Sequence, residues 1–181
     1  MQKFEIANAS GRSYSIGIEE VTQPTDALLK TLIDIDLQTF TESTFSHYTA
    51  AAFFHSGRIF LLKADDVIIG TCACMRTWER PNEVHLLSMG IRPGWRGRGL
   101  GHRFLRFVLE RLGQRGIRAL TLLVSENNLR ALKLYREVGF ESQGTVPTDT
   151  TARERFVTMT MRLRTDPLAE LPQPEPGDSE A

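Results

Sequence analysis

Three glycines at alternate positions, with two arginines among them, stand between an apolar run and a helical pattern: Arg96-Gly97-Arg98-Gly99-Leu100-Gly101. Nothing else in the chain constrains the fold as tightly. Glycine has no Cβ, so the backbone can turn sharply and bring several N–H groups to one point. The helical pattern over residues 100–112 begins at once, and a helix N-terminus carries unpaired amides and the positive end of its dipole. Turn and helix together make a cradle for phosphate. The apolar run over residues 83–91 reads as a central strand, and residues 119–124 read as the next one. A strand, a crossover helix and a second strand make these two parallel.

Two common phosphate-binding patterns fail here. G-x-G-x-x-G from Gly97 and Gly99 would need glycine where His102 stands. The pattern G-x-x-x-x-G-K-[ST] runs from Gly94 to Gly99 but continues with Leu100-Gly101. What fits is R-x-x-G-x-G from Arg96 to Gly101, in which Gly99 and Gly101 let the backbone touch a pyrophosphate.

The remaining elements follow from periodicity. Residues 14–21 alternate as a strand, and Thr25 is placed to cap a helix carrying Leu28, Leu29, Leu32, Ile33, Ile35 and Leu37. Residues 40–54 are rich in aromatic and hydroxyl side chains. They read as a loose second helix, either a pocket wall or core packing. Residues 58–64 and 67–75 form a hairpin around Asp65-Asp66. Leu100, Phe104, Leu105, Val108 and Leu112 stripe the helix after the cradle, and Gly113 or Gly116 ends it. A second helix spans 127–138 and stops at Gly139; strands follow at 140–145 and 155–163, joined by a polar loop over 147–154. Residues 1–13 read as a polar leader, 14–165 as a single domain, and 166–181 as an acidic, proline-rich disordered tail.

Charge adds little. The tail holds five acids and neither lysine nor arginine, which leaves the body 22 basic and 17 acidic side chains, net +5. Eight arginines lie between Arg92 and Arg118, yet without aromatic interleaving or a recognised module they do not read as a nucleic-acid surface. The longest apolar runs, about five residues, fall far short of the roughly 20 that cross a bilayer. No secretory h-region precedes the domain. Cys72 and Cys74 are expected as free thiols on one face of a strand, consistent with a reducing cytoplasm. No cluster with metal-ligand spacing appears, so no metal is expected.

Two blocks resemble the GNAT N-acetyltransferases, which use acetyl-coenzyme A. One is Met89-Gly90-Ile91 with Pro93 and Arg96-Gly97-Arg98-Gly99-Leu100-Gly101. The other runs from Asn128 to Phe140 and matches N-x-x-A-x-x-L-Y-x-x-x-G-F. The resemblance implies an α/β (α+β) fold, with a mixed sheet of about six to seven strands flanked by about four helices. It implies acetyl transfer to a primary amine, in a small molecule, an amino acid or a peptide, and it leaves room for a homodimer. The alternative is an acetyl-coenzyme A sensor or assembly module of the same fold without turnover.

By that resemblance, Met89, Gly90 and Ile91 pair with the pantetheine arm. Arg96, Gly97, Arg98, Gly99, Leu100 and Gly101 hold the pyrophosphate, Asn128 touches the cofactor arm, and Tyr135 is the acid that protonates the leaving thiolate. Asn128 and Tyr135 are two turns apart, which puts both on one helix face. Tyr135 as a plain core tyrosine is the structural reading beside it. The amine also needs a base. Leu123 stands where members that acetylate ribosomal-protein N-termini carry a glutamate, and His85 where histone-type members do. His85 is taken as the base, with Glu83 and Glu126 as rivals. Regular alternation would put His85 on the face of Leu87, Met89 and Ile91.

Overall fold

The computed structural model describes residues 2–7, 11–21, 23, 25–40, 45–146 and 155–163. Among these residues eight strands form one sheet, ordered β1(Gln2–Ala7), β2(Ser13–Val21), β3(Gly57–Ala64), β4(Val67–Arg76), β5(Glu83–Ile91), β6(Ala119–Ser125), β8(Phe156–Arg162), β7(Glu141–Thr145). Every neighbouring pair is antiparallel except β5 and β6. That single parallel pair is the βαβ unit built around the glycine turn. Among the described residues no helix is long and apolar enough to cross a membrane.

Each face of the sheet has its own apolar cluster. On one face α3(Leu100–Gly113) and α4(Leu129–Val138) cover Cys72, Cys74, Leu86, Leu120 and Leu122. Phe104, Leu105 and Val108 of α3 are fully buried there, as the helical stripe demands. On the other face α1(Asp26–Leu37) and α2(His47–Ser56) pack Leu28, Leu32 and Phe53 over Ile59, Leu61 and Ala73. Thr25 does cap α1, its Oγ1 accepting from the Leu28 N–H at 3.2 Å. α2 begins with a capping box between Ser46 and Thr49. Asp65 and Asp66 both take positive φ, 45° and 69°, the twist a two-residue hairpin turn needs.

The sheet departs from expectation at two points, one strand more and one strand order. Residues 2–7, read from the sequence as part of a leader, form β1 and pair with β2 from Gln2↔Ile18 to Ala7↔Ser13. Phe4 and Ile6 alternate with Lys3 and Glu5 and pack against the larger core. The pattern is too short to outweigh the polar residues around it. β8 inserts between β6 and β7, an order that local periodicity cannot reveal. With β1 the sheet has eight strands among the described residues, against the expected six to seven. The 147–154 loop and the tail from 166 lie outside the described residues.

Candidate active site

The pairing of β5 with β6 stops early. It runs from Glu83↔Ala119 to Leu86↔Leu122, while β5 continues to Ile91 and stays bonded to β4 through Gly70↔Ile91. Beyond Leu86 the two parallel strands part, and the β5 edge from Ser88 to Ile91 faces a cleft. The cause is a bulge. Cys74 pairs with Leu86 but Ala73 pairs with Ser88, so Leu87 is an inserted residue on β5.

A cavity of about 560 Å³ occupies this opening. Met89 and Ile91 form its β5 wall, and Arg96, Gly97, Gly99, Leu100 and Gly101 its turn. Asn128, Ala131, Leu134 and Tyr135 of the α4 segment close it opposite. Of the residues expected to bind or act on a cofactor, Gly90, Arg98 and His85 do not line it.

The turn has the geometry of an anion cradle. Gly97 and Gly99 adopt φ of +80° and +71°, and open space lies where a Cβ would stand. Gly99 is the N-cap of α3 and offers no capping side chain, so the first-turn amides stay available to a ligand. Gly101 serves packing instead: a Cβ there would come within 3.4 Å of Leu134 Cδ2. The two arginines of the motif are tied to backbone carbonyls, and only Arg96 also lines the cavity. Arg96 donates from Nε to the Ile91 carbonyl at 2.7 Å and from Nη2 to the Gln38 carbonyl at 3.1 Å, bracing the turn against the end of α1. Arg98 donates to the Gly94 carbonyl at 3.1 Å and lies over the Trp95 ring at 5.1 Å.

Asn128 is the N-cap of α4, with Oδ1 accepting from the Ala131 N–H at 3.1 Å. Its amide NH₂ is left to donate. Tyr135 is 8% exposed, yet its hydroxyl bonds to nothing among the described residues. Fully buried side-chain N and O atoms without a partner are absent among the described residues, so this hydroxyl keeps contact with the cavity. Burial first, then the nearby Cys72 and Cys74 thiols, pushes the phenol well above its ordinary value. Tyr135 stays protonated at any physiological pH. The two thiols are free and buried, Sγ to Sγ 3.9 Å apart, as the strand spacing implied.

His85 lies elsewhere. The bulge reverses the expected parity: Leu86 and Met89 join the α3–α4 cluster, while His85 shares the opposite face with Leu87, Ser88 and Gly90. Its Nδ1 is 3.2 Å from Thr121 Oγ1, whose hydroxyl can donate to the Val84 carbonyl at 3.4 Å. With the hydroxyl so oriented, Nδ1 carries the proton and Nε2 the lone pair. Burial lowers the imidazole pKa, so the ring is neutral near pH 7. Of the rivals, Glu83 is paired with Arg80 at 3.1 Å and Glu126 with Arg155 at 3.6 Å.

One polar pair escaped the sequence reading. Ser88, just after the bulge, donates to Asp36 Oδ1 at 2.6 Å, and both residues are buried between β5 and α1. Asp36 stands four residues after Leu32, on the buried stripe of α1. An acid on that stripe was the available signal. Among the described residues no group of His, Cys, Asp and Glu could hold a metal ion.

Comparison with known proteins agrees with this geometry. A sequence model described as the acetyltransferase (GNAT) family matches residues 26–140. The L-methionine sulfoximine/L-methionine sulfone acetyltransferase of Pseudomonas paraeruginosa is 30% identical over 86 residues, 47% of this chain and 50% of that protein. The chain thus spans about half the length of such curated relatives. The fold is similar to the ribosomal-protein-S18-alanine N-acetyltransferase of Escherichia coli, with TM-score 0.71, 20% identity, and coverage of 83% of this chain and 96% of that one. A Bacillus subtilis acetyltransferase solved in complex with CoA gives TM-score 0.65 at 18% identity, covering 82% and 99%.

Proposed function

The chain belongs to the acetyltransferase (GNAT) family, and we propose that it moves an acetyl group from acetyl-coenzyme A to a primary amine by direct attack. The observation that carries this reading is the parted β5–β6 edge. It unites in one cavity an uncapped helix N-terminus, a row of strand amides and a buried tyrosine hydroxyl with no protein partner among the described residues.

The residues fit such a co-substrate. Gly97 and Gly99 leave room for a pyrophosphate against the first-turn amides of α3. The β5 edge beyond Leu86 offers backbone groups to an extended amide-bearing arm, as an added strand would. The Asn128 amide can donate to the same arm. Acetyl-coenzyme A supplies an activated thioester. A β5 N–H near Met89 polarises the carbonyl, where negative charge grows during attack. The Tyr135 hydroxyl gives its proton to the departing sulfur; burial keeps the phenol protonated until then but weakens it as an acid, so the transfer is driven by collapse of the tetrahedral adduct and expulsion of the thiolate. The acceptor amine, with a free pKa of about 10.4, must first lose a proton. His85, neutral and basic at Nε2, takes it directly or through water from the α1–α2 side of the sheet. The bulge therefore divides the labour: donor groups on one face of β5, the base on the other. The free buried thiols support a reducing, cytoplasmic setting.

The test is thiol release from acetyl-coenzyme A over a panel of amino acids, small amines and peptides. Release that depends on one class of amine, with the acetylated product seen by mass, is the expected result. Tight binding without amine-dependent release from any class would make the chain a sensor or assembly module.

A further inference from the structure

A second cavity, of about 440 Å³, lies at the opposite end of the sheet, where β4 ends and β5 begins. Its floor is apolar: Cys74, Val84, Leu112 and Ile117, each nearly inaccessible to water. Its rim is cationic, with Arg58 from β3, Arg76 from the end of β4 and Arg115 from the turn after α3. Glu20 of β2, its side chain 7% exposed, gathers two of these. Its Oε1 takes Arg115 Nη1 at 2.5 Å and Arg58 Nε at 3.4 Å. One carboxylate thus fixes two guanidinium groups and neutralises one. Arg76 has no acidic partner among the described residues. The carbonyl ends of α2 and α3 also point here, offsetting about half a charge each. About one positive unit remains at the mouth of an apolar floor, and His55 also lines the rim.

We propose that this cavity binds a small organic carboxylate with an apolar body, aliphatic or aromatic, at a site separate from the acetyl-transfer cavity. The guanidinium fork matches a carboxylate in plane and charge, and Arg76 has its donors to spare. The floor takes the hydrocarbon part, which inorganic anions lack. The volume is in the range of small-molecule sites. No residue lining it belongs to the transfer machinery.

Hexanoate is a direct probe, with 1-hexanol and inorganic phosphate as controls, on the full chain with and without acetyl-coenzyme A. Saturable hexanoate binding is expected, undiminished by acetyl-coenzyme A, with amide shifts at Cys74 and Ile117 and little response to hexanol or phosphate. Arg76→Gln, an exposed change that spares the core, should weaken it at least about tenfold, the worth of one charge-assisted hydrogen bond. Acetyl-coenzyme A binding should not change in that variant. Four results would each overturn the proposal: no saturation, displacement by acetyl-coenzyme A, equal binding of hexanol or phosphate, or full affinity in Arg76→Gln.

Discussion

Gly99→Asp, set beside Gly99→Asn, separates charge from shape at the cradle. Gly99 holds φ +71°, and a Cβ added there would meet nothing within 4 Å, so either side chain fits sterically. Both pay for a left-handed conformation, about 1–2 kcal/mol for an ordinary residue and less for Asn or Asp. At roughly 2–4 °C per kcal/mol for a domain of this size, both variants should melt within about 8 °C of the parent. They differ in charge. A carboxylate roughly 5 Å from a phosphate repels it by about 3 kcal/mol per unit charge at an effective dielectric near 20. Gly99→Asp should therefore lose about a hundredfold or more in acetyl-coenzyme A affinity, while Gly99→Asn stays near the parent. Calorimetric titration of the three proteins measures this directly. Added salt should narrow the gap, because the repulsion is screened. Equal affinities for the Asp and Asn variants would refute the assignment of this turn to a phosphate.

Tyr135→Phe keeps the ring against Phe140, 5.5 Å away, and removes a hydroxyl with no protein partner among the described residues. The melting temperature should hold, acetyl-coenzyme A should still bind, and kcat should fall about a hundredfold or more; an unchanged kcat would remove Tyr135 from catalysis. Burial sets the folded pKa of His85 below that of the unfolded chain, so the neutral ring favours folding. Stability should decline as pH falls through the ordinary imidazole value of about 6.5, until the folded group also protonates. His85→Gln should flatten that decline in pH-dependent melts and remove the acid limb of the kcat/KM profile; a profile identical to the parent's would exclude His85 as base. Gly90→Ala places a Cβ 2.5 Å from Thr39 Oγ1 and 3.2 Å from Ile35 Cγ2. Overpacking α1 against β5 should cost about 1–3 kcal/mol in denaturant titrations, and an unaltered midpoint would mean that α1 yields freely.

What the sequence revealed follows the range of each interaction. The cradle was legible because glycine spacing and a helix start are local, and Gly97 and Gly99, both left-handed, fall within the motif. The Asn128–Tyr135 face was legible because helical periodicity is local too. The face of His85 was not. A bulge exists only in the register between two strands, and nothing in residues 83–91 says that Leu87 has no partner on β4. Arg96 and Arg98 were assigned to phosphate because they sit in the motif. In the folded chain the carbonyls of Ile91 and Gln38 hold Arg96 and that of Gly94 holds Arg98, and two of those residues lie in the same turn region, so part of each guanidinium braces the turn. β1 and the placement of β8 depend likewise on distant partners.

An amide-resolved NMR titration with acetyl-coenzyme A would locate the co-substrate in a single experiment. Shifts should concentrate at the first turn of α3, Leu100 to His102, and along β5 from Ser88 to Ile91, with β4 residues Arg76 and Cys74 nearly still. Shifts centred anywhere but the cleft between β5 and β6, or no saturable shifts at all, would contradict the placement of the donor in that cleft.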